Sequence, residues 1–447
     1  MIQNIVDLSR KLVSGKVSSQ ALVEEALAAI ANPGGQGALA FRSVYGEAAL
    51  NEARLVDQAR RAGLSLPQFA GVPLAIKDLF DVRGETTRAG SRVLDHIAPA
   101  AQDADAVALL RRAGFVIVGK NNMTEFAYSG LGVNAHFGTP LNPHDANVER
   151  VPGGSSSGAA VSVAQGMVPA AIGTDTGGSC RIPAAFCGTV GFKPTSDRVS
   201  KTGAIPLSPT LDCIGPLATS VSCCAVLDSI LSGGNGKDVP SFAEGGLRIG
   251  VLEGYVVEYL DETVAKAYKE TLTRLSSSGV RLTPFTIAEL AELPVINSKG
   301  GYVGAEAYAW HADLLETRGD FYDPWVRSRF DAGKSQSASD YIRLADHRAR
   351  LRRAAFGRIE AFDAVLLPTV QIVPPTLAEL ADATHSSKIN LLCLRNTAVG
   401  NFLDVPAISI PCHGTSSLPV GMMLMAMSGA DRRLLSIARG LEHAIRG

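Results

Sequence analysis

Apolar residues recur every three or four positions near the start of the chain, which is the spacing of one helix face. They are Ile2, Ile5, Leu8 and Leu12. A second helix is predicted over residues 20–30, with Ser18 or Ser19 at its N-cap. We therefore expect residues 1–60 to form a helical cover over a core.

From about residue 70 the pattern changes to short apolar runs between glycine and proline residues, which are typical of buried strands. The predicted strands are residues 71–76, 115–118, 247–252 and 361–370. Patterns with helical spacing separate them, and these are residues 103–114, 261–277 and 339–360. Helices that alternate with brief buried strands indicate an α/β fold with helices on the faces of a sheet.

The chain has 447 residues, with 42 Lys and Arg against 43 Asp and Glu. This balance, without a long basic run, argues against nucleic acid as a partner. Hydrophobic residues make up 46%, which is enough for a large buried core, and charged residues at 19% are too few for a disordered chain. The composition leaves the number of domains open, and residues 232–246 form the one candidate junction.

The seven cysteines are odd in number and show no C-x-x-C spacing, so a zinc site or a redox dithiol is not indicated. Free thiols are typical of a reducing compartment. The N-terminus lacks a basic region followed by an apolar one, and no 18 apolar residues run together. We predict a cytoplasmic protein that does not associate with a membrane.

Glycine and serine are concentrated in two loops, residues 153–158 and 173–179. Such loops bring several backbone N–H groups together and suit an anion. One candidate is phosphate, although neither GxxxxGK[ST] nor GxGxxG is present. The preferred candidate is the transient oxyanion of acyl transfer, with an oxyanion hole formed by the backbone N–H groups of Thr176, Gly177, Gly178 and Ser179.

A hydroxyl nucleophile in these loops would need a base, because a free serine is weakly nucleophilic at neutral pH. None of the eight histidines lies in either loop, and residues 177–181 do not fit the G-x-S-x-G elbow. Lysine can replace histidine if its pKa falls from about 10.4 toward neutrality. Lys77 is the candidate base, because it ends an apolar run where a charged side chain has no general reason to be.

Five motifs, in order along the chain, then suggest a family. They are GVPLAIKD at 71–78, GKNNMTEF at 119–126, PGGSSSG at 152–158, GTDTGGSCRIP at 173–183 and GFKP at 191–194. In these motifs and their spacing the chain resembles the amidase signature enzymes, which are serine hydrolases with a Ser-cisSer-Lys triad. The resemblance continues through LDCIGP at 211–216 and covers nearly the whole chain.

Carried over position by position, the resemblance implies that Ser179 is the nucleophile, Ser155 the bridging serine and Lys77 the base. It also implies a cis peptide bond between Gly154 and Ser155. Neutral Lys77 would then withdraw a proton through the Ser155 hydroxyl while Ser179 attacks an amide carbonyl. This route requires the amine of Lys77 to be buried and in contact with Ser155.

Neighbouring residues are expected to support these groups rather than to react. Ser156 or Ser157 is predicted to cap the helix that follows, with hydrogen bonds to the site as a further role. Asp175 and Arg181 are predicted to brace the loops. Cys180 is a disfavoured alternative nucleophile.

The substrate pocket is the least defined part of the site. Met123 and Tyr128 lie in or just after a motif near the active site of the family, and Tyr302 and Trp310 belong to an aromatic segment. All four are candidates for the pocket, although packing in the core is an equal alternative for the aromatic pair.

The resemblance implies one α/β/α domain over residues 1–447, with a large mixed central sheet flanked by helices. Residues 61–232 would carry the core motifs, and residues 233–447 the remaining sheet and the pocket helices.

The implied activity is hydrolysis of a linear carboxamide, a small-molecule substrate, to a carboxylate and ammonia or an amine, without metal or organic cofactor. The alternatives are a glutaminase-type subunit of an amidotransferase, a carbamate or ester hydrolase with the same triad, and a catalytically silent binding protein. A homodimer is a candidate assembly.

Overall fold

Eleven short strands form one sheet in the computed structural model, which describes residues 4–145, 147–414 and 417–447. The strands are β1 (Phe41–Val44), β2 (Pro73–Lys77), β3 (Val116–Asn121), β4 (Ala170–Asp175), β5 (Val190–Lys193), β6 (Cys213–Ala218), β7 (Arg248–Leu252), β8 (Arg281–Phe285), β9 (Ala364–Pro368), β10 (Ala407–Pro411) and β11 (Gly421–Met425). All four predicted strands are confirmed, with ends shifted by a few residues.

Sixteen α-helices in the described ranges surround the sheet. They are α1 (Ile5–Val13), α2 (Ser19–Ala31), α3 (Gly37–Ala40), α4 (Gly46–Arg61), α5 (Asp105–Arg112), α6 (Ser157–Ala164), α7 (Arg181–Phe186), α8 (Val221–Leu231), α9 (Glu262–Ser277), α10 (Leu293–Ile296), α11 (Gly301–Arg318), α12 (Pro324–Gly333), α13 (Ala338–Ile359), α14 (Ala383–Arg395), α15 (Thr397–Leu403) and α16 (Asp431–Arg446). None of the helices in these ranges has the length and apolar content needed to cross a membrane.

The sheet is mixed, with the strand order β1-β3-β2-β4-β6-β5-β10-β11-β9-β7-β8. Strands β3, β2 and β4 run parallel to one another, as do β9, β7 and β8. The strands between these two groups pair antiparallel. The predicted mixed central sheet is therefore confirmed.

Helices cover both faces of this sheet. One face is covered by five helices, which are α1, α5, α8, α9 and α16. Their apolar side chains pack against β2, β4, β5 and strands later in the chain. On the other face α2, α4 and α6 pack over one half of the sheet, and α13 and α15 over the other half. Buried side chains on both faces explain why the strands read as continuous apolar runs.

The N-terminal helices form as predicted, although Ile2 lies outside the described residues. Ile5, Leu8 and Leu12 of α1 are buried. The Ser18 side chain caps α2 by accepting a hydrogen bond from the N–H of Ala21 at 3.1 Å. The segment expected to be a helical cover, residues 1–60, also contains the strand β1, which pairs antiparallel with β3 as an edge strand. A strand of four residues with an irregular register is too short to show an alternating pattern.

Candidate active site

The parallel pairing of β2 with β4 brings two polar side chains to the same edge of the sheet. Lys77 is the last residue of β2, and Thr174 is the second to last residue of β4. The Nζ atom of Lys77 donates to Ser155 Oγ at 2.8 Å and to Thr174 Oγ1 at 2.9 Å. Lys77 has no exposed surface. The predicted buried amine in contact with Ser155 is therefore present.

Burial is the main influence on this amine, because a desolvated ammonium is costly. It lowers the pKa of Lys77 to about 8, although the nearby Cys180, Asp212 and Asp175 act in the opposite direction. A lysine with this pKa is partly neutral near pH 7 and can accept a proton.

Backbone contacts from two sides hold the loop that carries Ser155. The N–H of Gly154 donates to the carbonyl of Gly130 at 2.8 Å, and the N–H of Thr124 donates to the carbonyl of Ser155 at 3.1 Å. The N–H of Ser156 donates to the carbonyl of Ser179 at 3.3 Å, which joins the two glycine-rich loops. The peptide bond between Gly154 and Ser155 is cis, as the resemblance implied.

Ser179 lies in the turn between β4 and α7 and is 3% exposed. The preceding Gly178 has φ +143°, and a Cβ there would lie 2.2 Å from Thr397 Oγ1. Thr397 also donates to the carbonyl of Gly177 at 2.6 Å, so α15 fixes this turn. Within the described ranges, the N–H groups of Gly177, Gly178 and Ser179 have no acceptor. Free donors beside a hydroxyl are the arrangement that an oxyanion requires.

A buried ion pair stabilises the turn that carries Ser179. Arg181 donates to Asp175 through Nη2 at 2.7 Å and through Nε at 3.0 Å. Asp175 also accepts from the N–H of Cys180 at 3.1 Å and from Asn401 Nδ2 at 2.9 Å. Burial by itself would raise the pKa of Asp175, but Arg181 and the hydrogen bonds lower it to about 2. These contacts agree with the bracing role predicted for Asp175 and Arg181.

The predicted capping role of Ser156 or Ser157 is wrong. Ser156 is the N-cap of α6, but its side chain makes no capping bond and donates instead to the carbonyl of Thr174 at 3.4 Å. Its backbone angles, φ −87° and ψ 53°, are not the extended ones of a capping serine. The hydroxyl of Ser157 faces the carbonyl of Asn122 at 3.5 Å. Ser156 therefore supports β4 rather than the helix.

A cavity of about 230 Å³ borders the site at Thr174 and Thr176. Apolar side chains form most of its wall, together with Lys201 and Asp212. The other lining residues are Leu79, Ala127, Ala204, Ile205, Pro206, Leu207, Pro209 and Ile214. A cavity with an apolar wall and few polar groups is typical of a small-molecule site.

The four candidate pocket residues do not line this cavity. Met123 and Tyr302 are buried in the core. Tyr128 packs its ring edge-on against Phe330, and burial raises its pKa to about 12. Trp310 is 40% exposed in an aromatic cluster on α11 and α12.

Two residues with contacts to the site were missing from the sequence prediction. Thr174 precedes Thr176 by two residues in the GTDTGGS motif, so strand alternation could have placed both on one side of β4. Asp212 accepts a hydrogen bond from Thr176 Oγ1 at 2.5 Å, and burial raises its pKa to about 6. Asp212 could not be found from the local sequence, because its partner Thr176 is distant in the chain and the two meet only in the folded protein.

Comparisons with known proteins find relatives over nearly the whole chain. The family model described as Amidase matches residues 21–435. The chain is 36% identical to 2-amino-5-chloromuconic acid deaminase of Comamonas testosteroni, over 91% of this chain and 88% of that protein. It is 33% identical to a glutamyl-tRNA(Gln) amidotransferase subunit of Symbiobacterium thermophilum, over 96% of this chain and 94% of that protein. A crystal structure of an amidase matches with TM-score 0.90 and 32% identity, over 99% of this chain and 100% of that one.

The chain therefore belongs to the amidase family. It is a hydrolase that acts on the C–N bonds of amides. The α/β fold class and the resemblance drawn from the five motifs are both confirmed.

Proposed function

We propose that the chain is a serine amidase that hydrolyses a linear carboxamide to a carboxylate and ammonia or an amine, through an acyl-enzyme on Ser179. One observation carries the proposal: the fully buried amine of Lys77 lies 2.8 Å from the Ser155 hydroxyl, with its pKa lowered to about 8. A buried lysine that can be neutral near pH 7 is a competent general base.

The first step forms the tetrahedral adduct on Ser179 that precedes the acyl-enzyme. Neutral Lys77 accepts the proton of Ser155 while Ser155 accepts that of Ser179, and the Oγ of Ser179 bonds to the amide carbon. The carbonyl oxygen gains negative charge and is held by the free N–H groups of Gly177, Gly178 and Ser179. The N–H of Thr176, the fourth donor of the predicted set, also has no acceptor in the described ranges, while its side chain donates to Asp212.

The second step returns the proton, because an amine leaves readily only when it is protonated. Lys77 donates through Ser155 to the amide nitrogen as the C–N bond breaks. Water then attacks the ester carbon, gives its proton to Ser155 and Lys77, and releases the carboxylate as Ser179 regains its proton. The route uses side chains and water and calls for no metal or organic cofactor.

The other groups at the site have supporting roles in this proposal. The hydroxyl of Thr174 accepts a second hydrogen bond from the Lys77 amine, so two contacts fix the direction of the amine. The ion pair of Asp175 and Arg181 keeps the turn at Ser179 in place. The cavity next to Thr174 and Thr176 has room for about eight water volumes, which fits a small amide.

A glutaminase-type role within an amidotransferase is a second candidate function, because the chain is 33% identical to a subunit of such an enzyme. Hydrolysis of carbamates or esters by the same triad is a third, since both share the carbonyl and oxyanion chemistry.

The organisation of the chain is also a proposal. One domain over residues 1–447 is supported by the single sheet that spans the described residues. A cytoplasmic location is supported by the seven cysteines, which are all buried free thiols. A homodimer is testable by light scattering on the purified chain.

The experiment is an assay of the isolated chain that follows ammonia release from glutamine and from simple aryl and aliphatic primary amides and carbamates, and acid release from the matching esters. We expect turnover of an amide that Ser179→Ala abolishes, while Ser335→Ala, which removes an exposed hydroxyl, leaves it unchanged. Activity that needs added partner proteins would instead support the amidotransferase function. Labelling of Ser179 in the wild-type chain by a fluorophosphonate would exclude a catalytically silent binding protein. The absence of an adduct would support that alternative.

A further inference from the structure

Glu306 on α11 is a carboxylate that the proposed reaction does not use. Its hydrogen bonds connect it, through residues 208–212, with Thr176 at the start of the 176–179 turn that carries Ser179. Its Oε2 accepts from Ser208 Oγ at 2.6 Å and from the N–H of Thr210 at 3.1 Å. Its Oε1 accepts from the hydroxyl of Thr210 and from that of Tyr341 at 2.7 Å. Glu306 makes no ion pair within 4 Å in the described part of the chain, so these four donors are its nearest partners, and Arg348 attracts it electrostatically from farther away.

The same short segment surrounds a second carboxylate. Asp212 Oδ2 accepts from the N–H of Leu207 at 2.9 Å and from that of Ser208 at 3.1 Å. Asp212 Oδ1 accepts from Thr176 Oγ1 at 2.5 Å. Ser208 thus donates its hydroxyl to Glu306 and its N–H to Asp212, which connects α11 with Thr176.

Residues 199–212 contain no helix or strand, and their backbone bonds to other parts of the described chain lie at residues 202–205, which leaves residues 206–210 without any. The segment nevertheless forms part of the cavity wall, through Leu207, Pro209 and Asp212. Side-chain acceptors must therefore hold it. Glu306 accepts hydrogen bonds from Ser208 and Thr210, and Asp212, at the end of the segment, accepts from Leu207 and Ser208.

We propose that Glu306 is a positioning residue for the reaction. It holds residues 208–210, these orient Asp212, and Asp212 fixes Thr176 at the start of the turn whose N–H groups receive the oxyanion. The inference rests on the proposed function, because it needs the 176–179 turn to be the oxyanion site. If these donors shift by a fraction of an ångström, they stabilise the transition state less well, while the binding of the substrate changes little.

The test is the variant Glu306→Gln, which keeps the shape of the side chain but replaces one acceptor oxygen with a donor. We expect kcat to fall by about 10- to 100-fold while KM changes by less than about twofold. The matched control is Glu316→Gln on the exposed side of the same helix, which is expected to behave as wild type. Ser208→Ala, which removes one donor only, is expected to lower kcat in the same direction and serves if Glu306→Gln does not fold.

A double-mutant cycle with Thr176→Val separates this role from a general loss of structure. Thr176 and Glu306 act through one chain of contacts, so we expect the double variant to lose no more activity than the worse single variant. Losses that multiply, or a normal kcat in folded Glu306→Gln, would overturn the inference. The proposed function fails by a different result, which is unchanged turnover in Ser179→Ala.

Discussion

The pH dependence of kcat/KM reports most directly on the proposed base. Lys77 must be neutral to accept a proton, and burial lowers its pKa to about 8. At pH 7 about one molecule in eleven then carries the neutral amine, and at pH 9 about ten in eleven do. We therefore expect kcat/KM to rise about tenfold from pH 7 to pH 9 and to level off above that.

The assay uses a neutral amide that does not titrate between pH 6 and pH 10, with ammonia release measured in buffers of constant ionic strength. Incubation at each pH followed by assay at pH 8 checks that the chain stays folded. Lys388→Ala, which removes an exposed lysine, is the control and is expected to keep the midpoint. Asp212→Asn is expected to move the midpoint to lower pH, because Asp212 raises the pKa of Lys77.

A profile that stays flat from pH 6.5 to pH 9.5 would refute the reasoning, since no group with a pKa near 8 would then control the reaction. A midpoint that moves upward in Asp212→Asn would also refute it. Activity that falls as the pH rises through 8 would mean that the charged amine is the working form.

Three further predictions concern stability and geometry. Burial of the amine costs about 3 kcal/mol below pH 8, so Lys77→Met should unfold at higher urea at pH 7 than wild type and lose this gain by pH 10.5. Asp175→Asn leaves the buried Arg181 without its counter-charge, and the free energy of unfolding should fall by about 3–5 kcal/mol in denaturant titrations. Gly178→Ala should lose most turnover in initial-rate assays, because its Cβ would meet Thr397 at 2.2 Å; normal rates would contradict the geometry.

The main elements and the contact of Lys77 with Ser155 could be predicted from the sequence because both leave local signals. Apolar runs marked the strands, and the motifs around Lys77, Ser155 and Ser179 carried the resemblance. The contact between Lys77 and Thr174 could not be predicted in this way. It arises only when β2 and β4 pair, and the two residues are 97 positions apart in the chain.

The cavity shows where sequence reasoning stops. The aromatic segment around Tyr302 and Trp310 has the residue types of a pocket, but α11 turns Tyr302 into the core and leaves Trp310 part exposed. The cavity wall comes largely from residues 201–214, an irregular segment followed by the start of β6. Which irregular segment lies over a site depends on long-range packing, which spacing along the chain does not encode.

The most direct test of the account is to trap the acyl-enzyme and to locate it. A slowly hydrolysed anilide is mixed with the chain, the reaction is stopped in acid within a fraction of the turnover time, and the intact mass and peptide masses are measured. The account predicts one acyl group per chain, on Ser179, and none in Ser179→Ala. An activated ester of the same acid, which acylates faster than water deacylates, is run in parallel so that the adduct accumulates. An acyl group on the neighbouring Cys180, or turnover of this ester without any adduct, would contradict the account.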